Sequence, residues 1–188
     1  LAARALPALL QDLVAAHDAL AVGDWVLAER NAFGEWWVHA RLPPLTQIAR
    51  RLHDGRDKVT RVVIVANVDT ALLAMGLDHD FNLRRLERYL ALARLAGVTA
   101  VVVLTKADLA DASVVARRGE QARASIGDAV PMLAGDARDA AMARQLLPWL
   151  ARGQTVVLLG SSGAGKSTLT NTLCGEPLQH VAASRADD

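Results

Sequence analysis

The segment TVVLLGSSGAGKSTLTNTLCG, Thr155 to Gly175, leaves this chain little freedom in what it can fold into. A short run of apolar, partly β-branched residues is followed by a glycine-rich turn and then by a helical stretch. The turn matches G-x-x-x-x-G-K-[ST] at Gly160, Gly165, Lys166 and Ser167. A strand entering and a helix leaving are the context in which that pattern forms a phosphate loop. Backbone N–H groups from Gly160, Ser161, Ser162, Gly163, Ala164 and Gly165 then turn toward phosphate oxygens. The helix N-terminus adds partial positive charge. Lys166 bridges the β and γ phosphates, the Ser167 hydroxyl is a ligand for Mg2+, and Thr168 lies in the same first turn. The loop alone does not distinguish ATP from GTP.

A phosphate loop of this kind needs a largely parallel sheet, and two further runs suit one. RVVIVAN (Arg61 to Asn67) and VTAVVVL (Val98 to Leu104) are apolar without alternation, as in strands buried on both faces. Between them, Leu83, Leu86, Leu90 and Ala93 form a helical stripe, with Asp80 or Asn82 to cap its start and Gly97 to end it. Strand, helix and strand make a βαβ unit. DAAMARQLLPWL reads as another helix, packing Leu146, Leu147 and Leu150. The expected fold class is therefore α/β. Upstream, Leu6, Leu9, Leu10 and Leu13 fall at helical spacing, and GDWVLAER and EWWVHARL read as strands joined by the hairpin connection NAFG. The reading divides the chain into a small β domain over residues 1–52 and an α/β domain over residues 58–188.

LTKADL (Leu104 to Leu109) follows the second of these runs. Guanine offers two donors on its Watson–Crick edge, and one carboxylate accepts both in a charge-assisted pair. Adenine has no such donors and leaves that carboxylate unpaired, so discrimination can reach the order of 10⁴. Asp108 is the candidate reader. The Lys106 stem packs along the purine, Ala107 spaces the two, and Thr105 ties the motif to the phosphate loop. Ligands of such sheets lie at the carboxyl ends of the strands, where both motifs fall. VPMLAGDA supplies a third loop, in which the N–H of Ala134 meets guanine O6 or which is an ordinary turn.

The remaining composition narrows the setting. No apolar run approaches the roughly 18–20 residues of a membrane span, and a net charge of +1 asks for no nucleic-acid partner globally. No secretory signal is evident, so a cytoplasmic setting is expected. The single Cys174 is expected to be a small packing residue. The five histidines (His17, His39, His53, His79, His180) show no metal spacing. Arg41, Arg50, Arg51, Arg56, Lys58 and Arg61 outnumber Asp54 and Asp57 in one stretch, just after Trp25, Trp36 and Trp37. The tryptophans are expected to fill the core of the small β domain. The basic stretch is either a solvated linker or a single-strand nucleic-acid contact.

The block ANVDTALLAMGLDHDFNLRRLERYLALARLAGVTAVVVLTKADL closely resembles the circularly permuted GTPases of the RsgA/YjeQ family, which act on the small ribosomal subunit. GDWV, GSSGAGKSTLTNTLCG and the closing RADD are similar to that family too, so the resemblance runs from Gly23 to Asp188. Its base motif comes before its phosphate loop, the reverse of ordinary GTPases. The resemblance implies a small OB-type β-barrel, then a circularly permuted Ras-like P-loop GTPase domain, then a zinc-binding domain holding Zn2+. It implies GTP and GDP as ligands with Mg2+, hydrolysis stimulated by the small ribosomal subunit, a role in late maturation of that subunit, contact with its rRNA, and a monomer. TKAD and GSSGAGKST match the family's base and phosphate motifs. The family's switch segment and zinc ligands are expected beyond Asp188, and the chain has no Asp-x-x-Gly motif, so slow turnover is expected of these residues alone. Leu133 stands where the family carries Ser before Ala134. Two alternatives remain: an RNA-binding module gated by nucleotide without significant catalysis, and an ATP-using P-loop enzyme.

Overall fold

A computed structural model describes residues 2–53 and 59–179. Arg56, Lys58, Asp54, Asp57 and His180 lie outside the described residues. The chain divides into two compact units, Leu1–Val68 and Asp69–Asp188.

The first unit opens with strand β1 (Ala3–Ala5) and helix α1 (Pro7–Ala15). Pro7 starts the helix at the position where its missing N–H costs nothing. Leu13 is the buried residue of α1, while Leu10 is 44% exposed. Strands β2 (Val26–Arg30) and β3 (Trp36–Arg41) pair antiparallel, with a bulge between Leu27 and Ala28. Their connection is built by Asn31, whose side-chain carbonyl accepts from the N–H groups of Phe33 and Glu35. β1 joins the other edge of β3 in parallel.

Strands β4 (Gln47–His53) and β5 (Val59–Ala66) form a second, antiparallel pair. The run Arg61–Asn67 therefore belongs to an antiparallel pair in the first unit, not to a parallel sheet. Trp25 also departs from expectation, at 69% exposed, while Trp36 and Trp37 are half-buried. The core of this unit is aliphatic instead, with Val38, Ile48, Val65 and Ala66 buried. Arg41 is turned inward and bonded to Asp18 at 2.6 Å, which takes it out of any basic surface. That hydrogen bond, opposed by burial, holds the Asp18 carboxyl below the usual carboxylate range. Arg50 and Arg51 are exposed.

The second unit carries a four-stranded, wholly parallel sheet in the order β8–β7–β6–β9. Its first strand, β6 (Thr70–Gly76), is buried at every position. Helix α2 (Leu83–Leu95) follows and packs on β6 and on β7 (Thr99–Thr105). Asn82 caps α2 by accepting from the N–H of Arg85 at 3.0 Å. Its buried stripe is Leu86, Leu90 and Ala93. The βαβ unit thus exists as β6–α2–β7, one strand later than the apolar run had suggested.

Helix α3 (Ala112–Ile126) packs beside α2 and leads to β8 (Met132–Ala134). Helix α4 (Ala140–Leu146) is capped by Asp139. Leu146 is fully buried, but Leu147 is 61% exposed. β9 (Val156–Leu159) feeds the phosphate loop and α5 (Lys166–Cys174). Leu72, Val101, Val103, Met142, Leu146 and Leu169 form the core on the α4–α5 face. Cys174, in the last turn of α5, is exposed and is not a packing residue. Among the described residues no helix is long and apolar enough to cross a membrane.

Candidate nucleotide-binding site

All four strands of the parallel sheet end on the same edge, and the sequence motifs collect there. Register places Gly76 beside Thr105, Leu104 beside Ala134 and Leu73 beside Leu159. Gly160 leaves β9 so close to β6 that a Cβ on it would lie 2.5 Å from the Ala74 carbonyl oxygen. Backbone cannot give way as a side chain can. Gly160→Ala is expected to lower stability by about 1–3 kcal/mol and to weaken nucleotide binding through the displaced loop, measured by urea unfolding and by GDP titration.

The phosphate loop Gly160–Gly165 ends in a left-handed Gly165 that caps α5. Lys166, Ser167 and Thr168 form the first turn of that helix. Lys166 folds back over the loop, its Nζ donating to the Gly160 carbonyl at 3.0 Å and to that of Ser161 at 2.5 Å. Burial lowers its pKa from the ordinary lysine value, and the charge of Asp80 opposes that shift.

Thr105, at the end of β7, is fully buried. Its hydroxyl donates to the Ala164 carbonyl at 2.9 Å, joining TKAD to the phosphate loop across 59 residues of sequence. Lys106 is left-handed (φ 60), a conformation rare for a residue with a side chain. Its ammonium reaches Asp78 at 2.7 Å. Ala107 donates to the Gly135 carbonyl and Gly135 to that of Leu104, so the third loop is knit to TKAD. Ala134, the last residue of β8, is exposed at this edge.

Asp108 is an exposed residue whose side chain, 27% exposed, accepts from Arg138 Nη2 at 2.6 Å. Arg138 is fixed in turn by Asp136, with its Nε 3.0 Å from both carboxylate oxygens. That guanidinium holds the Asp136 carboxyl below the usual carboxylate range. Arg138, Asp136 and Asp78 were not expected from the sequence, and Asp80 only as a helix-cap candidate. The signal for the last two was available: they follow β6, and any loop after a strand of this sheet opens onto the same edge. Seeing it required recognising TALLAMG as a strand.

Comparisons with known proteins agree with this geometry. The model of the RsgA GTPase family matches residues 46–188. A small ribosomal subunit biogenesis GTPase RsgA from Xylella fastidiosa is 47% identical over 175 residues, covering 92% of this chain and 48% of the relative. The protein of the same name from Xanthomonas oryzae pv. oryzae is 42% identical over 192 residues, covering 100% of this chain and 49% of the relative. The chain thus spans about half the length of these curated relatives. Among solved structures, YjeQ from Thermotoga maritima superposes with a TM-score of 0.65 at 22% identity, over 91% of this chain and 55% of that one. YloQ, described as a circularly permuted GTPase, superposes with a TM-score of 0.54 at 22% identity, over 81% of this chain and 50% of that one. These two establish the fold, the α/β architecture of circularly permuted GTPases.

Proposed function

The chain belongs to the RsgA GTPase family, and on that premise we propose that it binds guanine nucleotide at this sheet edge and hydrolyses GTP to GDP and phosphate during biogenesis of the small ribosomal subunit. The observation that carries the reading is the Thr105–Ala164 hydrogen bond, which sets a guanine-type carboxylate and a phosphate loop on one rigid edge.

In this reading Asp108 accepts the two guanine donors and the Lys106 stem lies along the ring. The N–H of Ala134 meets O6. The amides of Gly160 through Gly165 and the α5 N-terminus receive the phosphates, and Lys166 moves from carbonyl partners to phosphate oxygens. The half-buried Ser167 hydroxyl, beside Lys166 in the first turn of α5, suits a hard cation that takes few protein ligands. Mg2+, when bound, supplies charge neutralisation at the β and γ oxygens. Hydrolysis here relies on positioning and charge rather than on a covalent intermediate.

We further propose that the first unit is of OB type, its bulged antiparallel strand pairs being the building blocks of such a barrel. The exposed Trp25, Arg50 and Arg51 are its candidate contacts to ribosomal RNA.

Competition against a fluorescent guanine nucleotide tests the core of the reading. GDP is expected to displace it at concentrations at least about 10²-fold below ADP, as a site built on polar recognition allows. Equal displacement by ADP would replace the guanine reading with an ATP-type one. Turnover is expected to rise when small ribosomal subunits are added, measured by phosphate release.

A further inference from the structure

Neither nucleotide motif includes the segment Leu77–Phe81, yet it touches both. The backbone N–H of Leu77 donates to the Thr105 carbonyl at 2.8 Å. Asp78 Oδ2 accepts from the Lys106 ammonium at 2.7 Å. Two residues on, Asp80 accepts from the hydroxyl of Ser161, the first serine of the phosphate loop. One side chain of the segment therefore holds the base motif, and another holds the phosphate loop.

The segment is itself tightly fixed. Asp80 is 8% exposed. Its carboxylate also takes the guanidinium of Arg85 and, at 3.0 Å, the N–H of Gly76. Asp78 Oδ1 accepts from the N–H of Asp80 at 3.1 Å. Arg118, from α3, donates to the carbonyls of Leu77 and Asp78 at 2.8 and 3.0 Å and lies over the Phe81 ring. Gly76 admits this packing, since a Cβ there would lie 2.4 Å from Asp78 Oδ1. Burial pushes the Asp78 carboxyl up, but the Lys106 ammonium and the Asp80 N–H outweigh it and hold the group below its ordinary value. A buried carboxylate with three donors is costly to assemble unless each donor is in place. That cost makes the segment a stiff spacer, not a passive turn.

We propose that the loop Leu77–Phe81 is a third, positioning element of the nucleotide site, in which Asp78 sets the lysine of the base motif and Asp80 sets the first serine of the phosphate loop, so that one segment fixes the separation of the base and phosphate subsites. This rests on the guanine-nucleotide reading above. Small displacements of a positioned group cost on the order of tenfold to a hundredfold in site function, and the two aspartates divide that loss differently.

Asp78→Asn loosens Lys106 and is expected to lower the GDP-over-ADP preference about tenfold. Asp80→Asn disturbs the phosphate loop and is expected to weaken GDP and ADP alike by about tenfold, leaving their ratio unchanged. Ser161→Ala removes the same contact without stranding Arg85, and it answers the question if Asp80→Asn does not fold. Asp78→Glu is expected to restore part of the base preference. Thermal unfolding of each variant identifies the folded samples, and nucleotide competition at low temperature supplies the ratios. A purely structural role would shift unfolding and leave both affinities within twofold of the parent, which overturns the proposal. Parent protein and Asp108→Asn are run alongside. If the parent shows no preference for GDP, the underlying reading fails. If the parent prefers GDP and the loop variants match it, the loop proposal alone fails.

Discussion

Asp108→Asn is expected to lower GDP affinity by about 10²–10³-fold and to turn the site toward xanthine nucleotides. The carboxylate of Asp108 presents two acceptors, and guanine presents two donors. An asparagine amide keeps one acceptor but sets an N–H₂ group against the guanine amino group, where neither can accept. Xanthine carries a carbonyl at that position, which the new amide donor matches. The parent protein should reject xanthine for the converse reason, since it would face a carboxylate with a carbonyl. Phosphate contacts are untouched, so XDP should bind the variant much as GDP binds the parent. Isothermal titration with GDP, XDP and ADP measures all three. The thermal midpoint is expected to stay near that of the parent, because the Arg138 partner of Asp108 is 66% exposed and such pairs contribute little. A variant that keeps its GDP preference would reduce Asp108 to a surface ion-pair residue.

Both motifs were legible because their chemistry is local. Gly160 to Ser167 carries the loop, the capping glycine, the lysine and the hydroxyl in one stretch. Val101 to Asp108 carries a buried strand and the carboxylate at its end. The sheet that brings them together was harder to read. β6, TALLAMG, is alanine, leucine and methionine for the most part, residues that favour helix when isolated. It is a strand because β7 and β9 sandwich it in the sheet, and tertiary burial outweighs local preference. Conversely, RVVIVAN has strong strand chemistry, but strand chemistry does not name a partner, and β4 took it.

The same distinction explains the side chains that escaped. Arg138, Asp78 and Asp80 act across gaps of 28 to 81 residues, which no spacing rule spans. Trp25 and Leu147 show the limit in the other direction. Apolar character predicts burial on average, yet each position's exposure is decided by which face the fold leaves open. Cys174 belongs with them: the last turn of α5 points it outward.

Lys166→Ala is expected to weaken GDP and ADP together by about 10²-fold or more while leaving their ratio intact. In the structure the ammonium donates to the carbonyls of Gly160 and Ser161, within the glycine-rich loop proposed to receive the phosphates. Lys166 is half-buried, and burial lowers its pKa against the opposing charge of Asp80, so part of its desolvation precedes the arrival of an anion. A charge-assisted bond made by a pre-desolvated donor is worth more than one made from bulk water. Alanine removes that bond and leaves the amides and the α5 N-terminus to receive the phosphates alone. Stability of the nucleotide-free protein is expected to change little, because releasing a half-desolvated charge offsets the two lost hydrogen bonds. Nucleotide titrations and urea unfolding of the same preparation separate these effects. The proposed base reader, Asp108, is unchanged in this variant, so a collapse of the GDP-over-ADP ratio would show that the lysine acts on the base subsite. An unchanged GDP affinity would remove Lys166 from the phosphate contacts altogether.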